Sequence, residues 1–379
     1  MVHVNAKPYL LIAACLVVST ASAAPHQLQL KQRGTFDNTN GTYPVTSPLV
    51  GFDGSLYGTT SFGGEHDVGV VYRARSNGHI DVLHSFDGAA GSYPYGTLVR
   101  DLHGTMYGTT TIGGDFDKGT VYSIAPNGEF HLLHSFNGSD GFVPSSILWL
   151  PDGNLYGTAS GGDFDEGTVF RMTASGELTT LHSFTMQEGA GPNGLVADLA
   201  GDLWGATQYG GDAQQGTIYR IARDGSNFTL IYTFDGGAHG GDVSQGLVAG
   251  CDGAMYGTTQ YGGTYDQGTL FRVSNSGGIE TLHSFGSGAD GAFPGGGSPI
   301  VVGPTCHFYG LTEFAGTLGG GTLYEADAFG NVHSLYNFNS SVQQAAVQIA
   351  WPNEIIVTEN TAGPAQAGAI LRGALPFGW

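Results

Sequence analysis

Short runs of alternating apolar and polar residues fill this chain, and the same runs return about every fifty residues. The clearest copies are Leu56-Tyr57-Gly58-Thr59, Met106-Tyr107-Gly108-Thr109, Leu155-Tyr156-Gly157-Thr158, Leu203-Trp204-Gly205-Ala206, Met255-Tyr256-Gly257-Thr258 and Phe308-Tyr309-Gly310-Leu311. A degenerate seventh is Ile355-Ile356-Val357-Thr358. With the aromatic position as marker (57, 107, 156, 204, 256, 309 and 356), the steps are 50, 49, 48, 52, 53 and 47 residues. A period near fifty matches one four-stranded propeller blade.

Each period carries four strand signals. A first apolar run, such as Gly96 to Val99 or Gly194 to Val196, leads to a turn such as Pro151-Asp152-Gly153-Asn154. The marker segment is the second strand. A third follows glycine, as in Gly119-Thr120-Val121-Tyr122 and Gly167-Thr168-Val169-Phe170. Hairpin pairs Asn77-Gly78, Asn127-Gly128, Ser175-Gly176 and Asp224-Gly225 tolerate positive φ. The fourth strand is of Leu-His-Ser-Phe type, as in Leu83 to Phe86, Leu133 to Phe136, Leu181 to Phe184 and Leu282 to Phe285. The seventh copy shows three strands, around Val347, Ile355 and Ala369, and lacks the fourth. Leu28 to Phe36, followed by Asp37 and Tyr43-Pro44, has the character of a fourth strand without its first three; Phe86-Asp87 followed by Tyr93-Pro94 is the parallel. Docking that strand onto the last blade leaves no exposed radial edge, whereas an open β-solenoid leaves it unexplained. The prediction is an all-β, seven-bladed β-propeller over residues 24–379, with the N-terminal strand completing the last blade.

The succession Leu-Tyr-Gly-Thr-Thr, Gly-Gly, then Gly-Thr-Val-Tyr or Gly-Thr-Leu-Phe, as in Met255 to Phe271, resembles the GloVer tandem-repeat family of exported bacterial proteins. The resemblance covers nearly the whole chain after its first two dozen residues. It implies a repeat protein displayed outside the cytoplasm, and it brings no catalytic residues with it.

Composition sharpens this picture. Glycine supplies 65 of 379 residues, with no Gly-X-Y period and 40% apolar residues, which excludes collagen and disorder and suits many tight turns. The net charge of −20 repels nucleic acid and anionic lipid, and suits cations, neutral sugars or basic partners. Residues 1–23 read as an export signal, with Lys7, an apolar stretch from Tyr9 to Val18, and Ala21-Ser22-Ala23 before the cut. That stretch is too short for a membrane span, and no other segment is long and apolar enough. Ile12-Ala13-Ala14-Cys15 has a lipoprotein form, but the greasy Leu16, Val17 and Val18 make a poor linker. The expected product is a secreted or periplasmic monomer rather than an outer-surface lipoprotein. Cys251 and Cys306 fall near the first turns of adjacent blades; they either form one disulfide stapling blades five and six or remain two free thiols.

The chemistry is less legible. There is no Gly-x-Ser-x-Gly elbow, no His-Glu-x-x-His and no phosphate loop, so no catalytic residue is named. The loops between second and third strands are acidic, and in a propeller they share a face with the interblade loops. Asp67, Asp115, Asp117, Asp163, Asp165 and Asp266 are candidate ligands for calcium, a hard cation that takes oxygen donors. Phe116, Phe164, Tyr209, Tyr261 and Tyr265 are candidate sugar platforms. His239 and Asp242 belong to the segment Gly237 to Asp242, which with Glu313 to Gly321 most breaks the repeat symmetry. The plain alternative is that Asp and Gly only form turns. His84, His134, His182 and His283 recur in separate fourth strands, too far apart to share a metal, and read as packing residues. The expected function is binding or scaffolding toward extracellular glycan or a cell-surface protein. The alternative is a carbohydrate-active enzyme using carboxylates of that face.

Overall fold

The computed structural model describes residues 28–375, apart from 45, 287, 296–297, 343–344, 351–352 and 361–366. Residues 1–23, read above as an export signal and including Cys15, lie outside the described residues. The described chain is all β, and no described helix is long and apolar enough to cross a membrane.

Seven antiparallel sheets form the seven blades of a β-propeller. In blade three, the strands Phe142–Trp149, Asn154–Ser160, Thr168–Thr173 and Leu178–Ser183 pair in sequence order from the axis outward. Blades one, four and five repeat that order. In blades two and six the innermost strand is split, into Ser92–Pro94 with Val99–Arg100 and Ala292–Pro294 with Val301–Val302. Blade seven is closed by the N-terminus. Lys31–Thr35 pairs antiparallel with Ala369–Ala374 and stands outermost in that sheet. The orphan strand and the unfinished blade are one unit, as the sequence predicted.

The core is distributed rather than central. Seven apolar clusters each join two neighbouring blades, including blade seven to blade one. The phenylalanine ending each fourth strand anchors these clusters. Phe86, Phe136, Phe184, Phe234 and Phe285 are fully buried, and Phe36 and Phe338 nearly so. Each such burial is worth roughly 1.5–3 kcal/mol. Five of these rings pack near edge-on against a third-strand aromatic of the next blade: Phe86 on Tyr122, Phe136 on Phe170, Phe184 on Tyr219, Phe234 on Phe271 and, at the closure, Phe36 on Tyr72. Phe36 also donates its amide to Gly368 of blade seven.

The marker residues are structural. Tyr57, Tyr107, Tyr156 and Tyr256 are buried and donate their hydroxyls to Asp53, Asp101, Asp152 and Asp252 in the turns just before them. Cys251 and Cys306 form a disulfide between blades five and six.

Candidate functional site: the upper mouth of the axial channel

The loops between second and third strands and those between blades emerge on one face, here called upper. At that face every blade sends its innermost strand down the axis. A cavity of about 460 Å³ results, lined by residues from all seven blades, among them Thr46, Tyr95, Ser146, Asn193, Gln245 and Gln348. No described lining residue is charged. Several lining groups already serve the fold: Asn193 Nδ2 donates to Val243 and Ser47 Oγ to Val347. Ser146, Ser244 and Gln245 make no side-chain hydrogen bond among the described residues.

The rim has a repeated geometry. In six blades the residue that leads the chain into the channel adopts left-handed φ: Tyr43 60°, Tyr93 53°, Val143 48°, Gly191 62°, Asp242 61° and Phe293 56°. Only one is glycine, and this conformation strains any other residue by about 1–2 kcal/mol. What holds it is a blade-to-blade backbone bond. The amides of Tyr93, Val143, Gly191, Asp242 and Phe293 donate to carbonyls of Val68, Lys118, Glu166, Gln215 and Gln267 in the preceding blade. The fixed backbone sets these side chains beside residues at or just past the ends of second strands. Aromatic contacts then run around the rim, from Tyr43 to Phe62 to Tyr93 at 5.5 and 5.2 Å, and from Tyr261 to Phe293 to Phe314 at 5.8 and 6.0 Å.

A sequence-family model described as the Gloeobacter/Verrucomicrobia repeat matches residues 21–163 and again residues 148–370. The chain belongs to that family. No curated protein matches this repeat protein in sequence. Among solved structures, streptogramin B lyase superposes with a TM-score of 0.65 at 15% identity, over 94% of this chain and 100% of the lyase. Puromycin hydrolase gives 0.57 at 12% identity, over 89% of this chain and 55% of the hydrolase. A protein of unknown function from Dyadobacter fermentans DSM 18053 gives 0.51 at 9%, over 92% and 99%. At such identities the likeness is one of fold.

In this Gloeobacter/Verrucomicrobia repeat protein the residues singled out in the sequence separate into three groups. Phe116, Phe164 and Tyr265 stand exposed at loop tips, while at the rim Tyr209 ends a second strand and Tyr261, two residues past one, bridges to Gly241. Asp67, Asp117 and Asp266 are turn residues with positive φ, and each accepts the amide of its own loop's first glycine (Gly63, Gly113, Gly262) through Oδ1. Asp165 shares their backbone conformation, and Asp115 and Asp163 lie at exposed tips. Among the described residues no three His, Cys, Asp or Glu side chains converge as a metal site. His239 is tied to the fold, its Nδ1 2.9 Å from the Thr281 hydroxyl. The fourth-strand histidines pack: His84 stacks on Phe130 of the next blade, and His134 and His283 bond to Asp140 and Asp290.

Asp242 is different. It takes the rim position that holds Tyr43, Tyr93 and Phe293 in other blades. Its Oδ1 is buried with no partner, and burial pushes its carboxyl above the usual range although Gln208 hydrogen-bonds to it. Tyr209 and Tyr261 flank it, its charge raising the Tyr209 hydroxyl after burial has done so. Burial also raises Glu313, further round the same rim. Sequence reading missed Tyr43, Phe62, Tyr93, Phe293 and Phe314 as rim residues. The signal was present: Phe62, Tyr209, Tyr261 and Phe314 each lie five residues after a marker, and Tyr43, Tyr93 and Phe293 each precede a proline.

Proposed function

We propose that this propeller is an exported binding module for neutral glycan, taken at the upper mouth of its axial channel. The observation that carries this reading is the uncharged lining of a cavity built by all seven blades, in a chain of net charge −20. An acidic surface repels anionic polymers and leaves a neutral ligand unopposed. Hydroxyl and amide side chains match sugar hydroxyls, and exposed rim aromatics present flat apolar faces for the apolar side of a sugar ring. The loop aspartates supply an independent calcium question, since those engaged in turns have a second carboxylate oxygen to offer.

A glycan-binding screen of residues 24–379, run with calcium and again with a chelator, tests the reading. Retention of a neutral glycan in both buffers supports the mouth as the site. Retention lost in chelator assigns a supporting role to Asp67, Asp115, Asp117, Asp163, Asp165 or Asp266. A screen in which only a cell-surface protein is retained, or nothing at all, contradicts it.

One observation favours a second reading, carbohydrate cleavage. A lone carboxyl raised by burial is suited to donate a proton to a glycosidic oxygen, and Asp242 alone at the rim combines that with an unpartnered oxygen. If cleavage occurs, Asp242→Asn abolishes product release from the retained glycan while leaving its binding within a few-fold.

A further inference from the structure

The rim aromatics are not spread evenly. They form two arcs, Tyr43–Phe62–Tyr93 at blades one and two, and Tyr209 with Tyr261–Phe293–Phe314 at blades four to six. Between them on one side Val143, Gly161 and Gly191 take the repeated positions, and a single ring, Phe142, lies over Gly161 with Lys118 Nζ 5.5 Å from it; on the other the sequence carries Thr361 five residues after the blade-seven marker. From the junction of blades one and two to that of five and six is four blade steps one way and three the other. The arcs therefore face each other across the mouth, about 150° apart in a seven-bladed ring. The uncharged cavity opens between them.

We propose that the ligand is a linear chain of neutral sugars that crosses the mouth, resting on both arcs with its middle over the cavity. This rests on the glycan reading above. A single sugar ring can stack on one arc and leaves the other without a use. A chain uses both, and binding at the second arc then occurs at the high effective concentration set by the first. A linear chain also fits the sparser flank at blade three, where Phe142 is isolated from both arcs and capped by Lys118. Charge selects the class of chain: in a molecule with 32 acidic against 12 basic residues, a polyuronate or sulfated polymer meets repulsion that a neutral one does not.

The test is a titration by calorimetry of residues 24–379 with neutral oligosaccharides from disaccharide to octasaccharide. Four series serve as probes: β-1,4-glucose, β-1,3-glucose, β-1,4-mannose and α-1,4-glucose. In the series that binds, affinity should rise at least tenfold once the chain reaches both arcs and then level off. Phe62→Ala and Phe293→Ala, at opposite arcs, should each return the long oligomer to within about threefold of short-oligomer affinity. Phe62→Leu and Phe293→Leu, checked by unchanged melting temperature, guard against loss of fold. Affinity that is flat from the disaccharide upward overturns the crossing chain while the glycan reading stands. So does a loss confined to the variants of one arc. No binding in any series, at any length, overturns both.

Discussion

Tyr72, Tyr122, Tyr219 and Tyr324 are fully buried third-strand residues whose hydroxyls find no hydrogen-bond partner. Blades three and five put Phe170 and Phe271 at the same place. Each ring lies over the glycine that follows the marker in its own blade: a Cβ at Gly58, Gly108 or Gly157 would collide with Tyr72, Tyr122 or Phe170. That glycine is therefore required by close approach rather than by a turn. Blade seven shows the converse, where Val357 pairs with Leu371 and no ring needs the space. An unsatisfied buried hydroxyl costs about 1–3 kcal/mol, so Tyr122→Phe should raise unfolding stability by about 1 kcal/mol in a denaturant titration. A loss would mean the hydroxyl has a partner.

His84 supplies a pH prediction. Burial lowers its pKa below 6.5, partly opposed by Asp87, and its ring is stacked 3.8 Å from Phe130 with Phe86 edge-on. The folded state thus prefers the neutral ring, while the unfolded chain takes up a proton near 6.5. Stability from this site is complete above that pH and is lost as pH falls toward the folded value. Blade four carries Tyr232 at the equivalent place, paired with Ile218 as His84 is with Val71. His84→Tyr should therefore lose less stability than wild type between neutral pH and about pH 5. An equal loss would assign the acid sensitivity elsewhere.

At the scale of elements, the turn joining first to second strand shows one junction solved in different ways. Phe52 reaches over Gly104 of the next blade, with 3.8 Å to a Cβ placed there, and Leu199 reaches Gly253 at 3.9 Å. Cys251 and Cys306 occupy the same pair of places and make the contact covalent. Gly54, Gly104, Gly153, Gly201 and Gly253 all have positive φ, and Cys306 holds the equivalent conformation at 61°, so the disulfide is kept against backbone strain. Its loop spans 55 residues, for which chain entropy gives about 4 kcal/mol. Cys251→Ser should lower stability by up to that amount in the oxidised protein, and have no further effect under reducing conditions. A destabilisation that persists equally after reduction would place the loss in packing instead.

At the scale of the whole molecule, sequence and structure are unequally informative about fold and site. The period was legible because each blade solves one packing problem with the same residues: a fourth-strand phenylalanine, a third-strand ring and a marker glycine. The closing strand was legible because Phe36 and Tyr43-Pro44 repeat Phe86 and Tyr93-Pro94. The channel was not, since its lining takes only a few residues from each blade, and Ser146, Asn193, Gln245 and Gln348 share no motif. The rim was half legible. Tyr209 and Tyr261 stood out among the acidic loops, whereas Tyr43 and Tyr93 read as register marks, and Phe62 and Phe293 drew no notice, until blade-to-blade bonds fixed where they stand. Loop aspartates drew notice by number, yet Asp67, Asp117 and Asp266 each spend an oxygen on their own glycine amide.

The central claim is that a neutral chain of sugars is held at the upper mouth. Its most direct measurement is a crystal structure of the protein soaked with the oligosaccharide that binds in the length series. The account predicts sugar density over the axial cavity, with rings on Phe62 or Tyr93 at one side and on Tyr261 or Phe293 at the other. Density confined to the loop tips at Phe116, Phe164 and Tyr265, or to the opposite face, would contradict it.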